Sequence, residues 1–204
     1  MNGTRPLPAN IRLRVFLAAA VYLCSMAPVA GAQQTAFSFD PAGTRISFAL
    51  GATLHTVHGT MQLKRGEIRF DPATGNASGE VVVDATSADT GNKSRDRKMH
   101  KEVLQSAKFP EIIFTAERVS GTIDRNGQTQ LQVSGTFELD GEKHPMTLPV
   151  SIDRATAGDN AHARTKFVVP YVQWGLKNPS TVFLRVSDHV DMEIDAAGKL
   201  TGDK

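Results

Sequence analysis

Cysteine occurs once in the 204 residues, tryptophan once and tyrosine twice. The single thiol, Cys24, falls in an amino-terminal stretch built like a secretory leader. Met1 to Arg14 carries Arg5, Arg12 and Arg14 and no acid, and Val15 to Cys24 is apolar. Ala30-Gly31-Ala32 then supplies the small residues that a signal peptidase reads. Cleavage after Ala32 is expected. The apolar run falls short of the about 20 residues that a membrane-spanning helix needs. Val21-Tyr22-Leu23 ahead of Cys24 lacks the small residues of a lipoprotein site.

Removing residues 1–32 changes the arithmetic. Residues 33–204 contain no cysteine, which excludes disulfides and thiolate metal sites. An exported domain without such staples rests on its core, and a chain of this size buries roughly 70% of its unfolded surface. The remaining 20 basic and 21 acidic residues give a charge of −1, down from +2 for the whole chain. Without a strong basic excess, nucleic-acid binding is not expected. No later stretch is apolar for long enough to span a membrane, so the expected location is the periplasm, with secretion as the alternative.

What is abundant is alternation with a period of two. Ile46, Phe48 and Leu50 alternate with polar or small residues, as do Val57, Met61 and Leu63, with Gly59 on their apolar side. Ile68 and Phe70, then Leu131, Val133 and Phe137, then Phe167 and Val169 follow the same rule. So do Val182, Leu184 and Val186, and finally Val190, Met192 and Ile194. Such runs predict strands with one buried and one wet face. The gaps hold turn chemistry: Asp71 to Asn76, Asp124 to Gly127, and Asp140-Gly141. At least eight short, closely spaced strands predict an all-β antiparallel sandwich or barrel. The small, polar tail from Ala196 to Lys204 reads as frayed.

One segment breaks the rhythm. Asn92 to Gln105 is rich in helix formers, groups Met99, Val103 and Leu104 at helical spacing, and is preceded by the N-capping residues Asp89, Thr90 and Asn92. One inserted helix over about 92–105 is predicted, ending before Lys108-Phe109-Pro110 and a strand from Glu111 to Val119. Its Lys93, Arg95, Arg97, Lys98 and Lys101 form either a solvated face or a rim for an anionic headgroup. A second unusual stretch, Pro170 to Ser180, holds Trp174 and Tyr171 between prolines. It reads as a structured loop that plugs one end of a barrel or lines a ligand entrance.

Catalytic constellations are weak. His55 and His58 form an H-x-x-H pair, but residues three apart on a strand face opposite ways, so they do not both ligate one metal. Ser94, Asp96 and His100 lack triad geometry and a nucleophile elbow. No pair of acids stands out for acid–base work. No metal or cofactor is expected.

Together the motifs resemble the YceI-like family. Thr44 to Phe48, Thr56 to Met61 and Gly66 to Pro72 are similar to its opening. Asp89 to Asp96 and Lys108 to Phe114 resemble its central signature, and Gly135 to Gly141 with His144-Pro145 its later hairpin. The resemblance spans about Phe37 to Ile194, with a departure at Met99 to Glu102, where family members are more apolar. It implies an eight-stranded lipocalin-like barrel over 33–204, closed around an elongated apolar cavity, and a polyisoprenoid or similar lipid as partner.

The leading expectation is therefore a non-enzymatic carrier or binding protein for a long-chain isoprenoid, isoprenoid quinone or fatty amphiphile. Phe48, Val57, Met61, Phe114, Val133, Phe137, Phe167 and Trp174 would line the cavity, and Lys93, Arg95, Arg97 and Lys98 would meet an anionic headgroup. A homodimer is the oligomer considered. The alternative is an enzyme or accessory that uses a histidine such as His58 or His100 at the cavity mouth. A solidly packed barrel would show the same alternation.

Overall fold

Strands dominate because β-branched and aromatic residues alternate with polar ones over most of the chain. The computed structural model describes Gly3 and residues 34–121, 128–154, 159–182 and 184–202. The expected leader, Gly3 apart, and the expected turn at Asp124 to Gly127 lie outside the described residues.

Nine strands form one antiparallel sheet: β1 (Thr35–Phe39), β2 (Arg45–Gly51), β3 (Thr56–Phe70), β4 (Ala77–Asp89), β5 (Glu111–Gly121), β6 (Thr129–Leu139), β7 (Glu142–Arg154), β8 (Asn160–Val169) and β9 (Val190–Thr201). The sheet closes because β3 pairs with β4 while β9 pairs with β8 and with the first two strands. β1 and β2 share one position in the ring. β2 pairs with the early part of β3, as in Phe48↔Gly59, and β1 with its end, as in Phe37↔Ile68. Nine strands thus make an eight-stave barrel, the expected fold class, with one stave broken at Pro41.

The fifteen residues of β3 explain an oddity of the pattern. Val57, Met61 and Leu63 face inward, but so do Ile68 and Phe70, which have the opposite parity. A register shift between Leu63↔Val83 and Arg65↔Val82 absorbs the change by letting Lys64 and Arg65 both face solvent. On the outer face of β4, Val82 is 0% exposed. The Lys64–Glu111 ion pair, 2.9 Å, joins β3 to β5 across β4.

At one end of the barrel lie four connections, residues 52–55, 90–110, 140–141 and 170–189; this end is the mouth. The second contains helix α1 (Lys93–Lys98), capped by Asn92, whose Oδ1 accepts from the amides of Ser94 and Arg95. The expected helix is shorter and less regular than its sequence suggests. Past Lys98 the turn widens to π geometry over Met99–Val103, with the Leu104 amide donating to the Met99 carbonyl. The extra residue in that turn keeps Met99, Val103 and Leu104 all on the barrel side. Asp140 and Gly141, at φ 55° and 80°, form the hairpin turn that their sequence predicts.

Two expectations need correction. The alternation of Val182, Leu184 and Val186 belongs to a loop rather than a strand, with an isolated bridge from Val186 to Ala52. Leu184 and Val186 face a cavity there, so burial on one side produces the period without a ladder. The tail is not frayed from Ala196: β9 continues to Thr201, with Ala36↔Thr201 pairing it to β1. The long strand β7 carries Pro145 and Pro149. It pairs with β8 only over Val150–Arg154, so both prolines sit where that edge makes no ladder to β8.

Candidate functional site

The inward residues of the staves enclose two apolar chambers that meet at a waist. The lower chamber, about 110 Å³, is lined by Phe37, Phe39, Phe70, Phe114, Val133 and their neighbours, with Thr44 and Thr165 as its only polar lining residues. The upper chamber, about 480 Å³, lies under the mouth among Phe48, Leu50, Val57, Met61, Val169 and Met192. Ile46, Val83, Ile112, Phe137, Phe167 and Ile194 border both and form the waist. The upper volume is within the range of small-molecule sites. Phe48 can lie flat along the wall because its cross-strand partner is Gly59, where a Cβ would stand 2.2 Å from the Phe48 ring.

Among the described residues, charged groups enter the lining at the mouth. Thr90, Asn92, Ser94, Arg95 and Lys98 from the helical connection border the upper chamber, joined by His55 from the β2–β3 loop. Among the described residues, no carboxylate lines either chamber. Arg95 donates through Nε to the Thr90 hydroxyl, 2.8 Å, and through Nη2 to the Thr90 carbonyl, 3.0 Å. Asp96 accepts from the same hydroxyl and from the Thr90 amide. Burial pushes the Asp96 carboxyl up, but these hydrogen bonds and the Arg95 charge outweigh it and hold the group below its ordinary value.

The 170–189 loop roofs the other side. Buried Tyr171 donates its hydroxyl to the Ser187 carbonyl at 2.7 Å, closing the loop on itself. Burial and the Asp188 charge raise that phenol to about 12. Tyr171, Leu176, Pro179, Leu184 and Val186 complete the lining. Loop and helix are tied twice: Lys98 Nζ donates to the Pro179 carbonyl, 3.3 Å, and Lys177 pairs with Glu102, 2.6 Å. The hydrogen bond from Lys177 depresses the Glu102 carboxyl.

Seven of the eight residues expected to line the cavity do so: Phe48, Val57 and Met61 above, Phe114 and Val133 below, and Phe137 and Phe167 at the waist. Trp174 does not. It packs against Phe137, 5.6 Å between centroids, and stacks on His144, in the region where β7 and β8 are unpaired. A bulky planar ring fills that lateral gap better than it would fit a chamber already lined by phenylalanines. The four-residue cationic rim divides by helical geometry. Arg95 and Lys98 border the upper chamber, while Lys93 and Arg97 line a groove on the outer side of the helix. The expected plug and the expected entrance lining at Pro170 to Ser180 are the same loop.

The histidines named for catalysis are placed elsewhere. His58 faces an outer groove with Asp89 and Lys166. His100 spends both ring nitrogens on the fold, each at 2.9 Å, Nδ1 to the Ser106 hydroxyl and Nε2 to the Ala88 carbonyl. Several lining residues escaped notice in the sequence. Val81 and Val83 are masked by Val82 between them, and the Leu184 region lacks any ladder.

A sequence model of the YceI-like domain matches residues 37–197. No curated protein matches the chain. Among solved structures, it is similar to a polyisoprenoid binding domain from Saccharophagus degradans implicated in plant cell wall breakdown. The TM-score is 0.62 at 15% identity, over 81% of this chain and 98% of that one. It is also similar to Burkholderia cenocepacia BcnA, with a TM-score of 0.60 at 18% identity over 78% and 98%. For the Campylobacter jejuni YceI protein the values are 0.53 and 18%, over 66% and 79%. At these identities the likeness establishes the fold.

Proposed function

The chain belongs to the YceI-like family, and from that membership and the two-chambered interior we propose that the barrel carries a long apolar amphiphile. Its tail would run from the upper chamber through the waist, and its polar end would stay at Arg95 and Lys98. The observation that carries this reading is the segregation of the lining: apolar along both chambers apart from the Thr44 and Thr165 hydroxyls, with charged side chains at the mouth alone among the described residues. Apolar surface gains about 25 cal/mol per Å² on leaving water, so a tail of isoprenoid or acyl type is held without a hydrogen bond. The polyisoprenoid-binding description of the Saccharophagus degradans neighbour supports the same chemical class.

The reading is of a binding protein rather than an enzyme. Among the described residues no carboxylate borders either chamber, His58 faces outward, and His100 is committed to structural hydrogen bonds. The leader-like residues 1–32 support export, and the proposal places the carrier in the periplasm, where such cargo needs shielding from water. Mass spectrometry of the organic extract from gently purified protein tests it. A stoichiometric isoprenoid or acyl lipid is expected, and repeated extracts empty of lipid would overturn it. Sequencing the amino terminus of the exported protein tests cleavage after Ala32.

A further inference from the structure

We propose that the mouth of the barrel docks on an anionic lipid bilayer, with Leu54 and Val182 inserting as apolar tips. This use of the mouth for cargo exchange rests on the carrier reading above; the docking itself is read from the surface.

Among the described residues three large hydrophobic side chains are exposed: Leu54 at 84%, Val182 at 92% and Val168 at 50%. Scattered exposed aliphatics are ordinary. Here the two most exposed stand together on connections bonded to each other. The Thr53 amide donates to the Arg185 carbonyl and the Arg185 amide to the Thr53 hydroxyl, both at 3.0 Å. Ala52 bridges Val186 beside them. The same connections line the upper chamber through Ala52, Leu184 and Val186, so each tip stands two residues along the chain from a side chain of the cavity wall. Protruding tips suit a bilayer, into which single side chains partition independently, better than a protein partner that needs a broad complementary patch.

Charge supplies the second argument. The four mouth connections hold eight basic and four acidic residues, whereas the rest of 33–204 holds 12 basic and 17 acidic. A domain of net charge −1 therefore presents +4 at its mouth. Arg95, Lys98 and Arg185 make no ion pair among the described residues, and Lys93, Arg97 and Lys101 line the outer groove of the same connection. A basic excess on the connections that share an end with the apolar tips matches an anionic headgroup layer. Cargo leaving such a layer would enter the barrel with little of its tail exposed to water.

Flotation of the purified protein with vesicles tests the proposal, using phosphatidylcholine alone or mixed with phosphatidylglycerol. Flotation with the mixed vesicles that weakens in high salt is expected. The double variant Leu54→Asp, Val182→Asp should partition about a hundredfold less. Arg185→Gln should lose about fivefold on anionic vesicles and little on neutral ones. A milder pair, Leu54→Ser and Val182→Thr, serves if the first pair alters thermal unfolding. Equal flotation of the wild type and a folded double variant overturns the proposal. So does failure of the wild type to bind anionic vesicles, even where a soluble protein is then found to cover the loops. An empty organic extract would remove the carrier reading instead, and vesicle binding is measured independently of it.

Discussion

The indole of Trp174 lies parallel to the imidazole of His144, with 4.2 Å between ring centroids and 1° between ring planes. This stack stands where β7 has left β8, since their ladder ends at Val150↔Thr165. Behind it Phe137 and Phe167 meet edge-on at 6.2 Å. The roof of the mouth is thereby joined to the barrel wall by aromatic contact in place of backbone hydrogen bonds. Replacing His144 by alanine should cost about 1 kcal/mol, the scale of one aromatic pair. It should also leave the only tryptophan wetter. Urea unfolding followed by emission checks both, and an unshifted spectrum with unchanged midpoint would count against a clamp.

Tyr171 is the only tyrosine of residues 33–204, so its phenol can be titrated by absorbance. Its folded pKa is raised from 10.0 to about 12. Between those values the folded state keeps a proton that the unfolded state loses. The associated stability is thus full below pH 10 and disappears as pH rises toward 12. Tyr171→Phe removes the bond to Ser187, costing about 1 kcal/mol, and should flatten that alkaline decline. Ionisation at the ordinary phenol value would refute the buried placement.

At the acid end, Asp96 has the opposite sign. Its folded pKa is depressed, so the stability it contributes is present above the ordinary carboxylate value of 3.8 and is lost as pH falls through the lower folded value. Hydrogen exchange over 93–103 should accelerate there before the strands do. Asn92→Ala, which removes two cap bonds, should weaken the same segment by about 1 kcal/mol at neutral pH. Uniform exchange across helix and barrel would show that the segment does not open on its own.

Thr165 places a hydroxyl without a partner inside the barrel. Thr165→Val keeps the shape and removes an unpaired polar group, so stability should rise by about 1 kcal/mol. Thermal unfolding of protein stripped of lipid is the measurement, and a loss of stability would mean that the hydroxyl is satisfied.

Ala163 lines the lower chamber, whose volume is about 110 Å³. Ala163→Leu should fill much of it, at a cost of about 1–3 kcal/mol if the strands must shift. If tails pass the waist, the lipids retained by this variant should be shorter than those of the wild type. An identical chain-length profile by mass spectrometry would confine the tail to the upper chamber.

Inward positions at Phe48, Val57, Met61, Val133 and Phe167 were legible because a half-buried strand writes its environment into every second residue. Asp140-Gly141 was legible because few sequences accept two successive positive φ values. Val81 and Val83 were not, because outward Val82 is buried as well and erases the contrast. The inward side of the 182–186 loop was misread as a strand for a related reason: burial on one side generates the period whatever the backbone pairs with. Trp174 was assigned to the lining because an indole near a cavity fits either role, and only the unpaired edge of β7 distinguishes them.

Alternation, turn chemistry and one helical interruption were enough to predict an antiparallel sandwich or barrel, since each depends on residues within a few positions of one another, and the family resemblance of the motifs chose the barrel. Tertiary structure alone decided that the interior is divided at a waist, because hollowness depends on how side chains from eight staves meet. It also decided which cations of one helix see the cavity, through the way that helix is set against the mouth. Cysteine and tryptophan, scarce at the outset, ended differently. The thiol belongs to a segment that a carrier would discard, and the lone indole became the wedge that keeps the barrel's side closed.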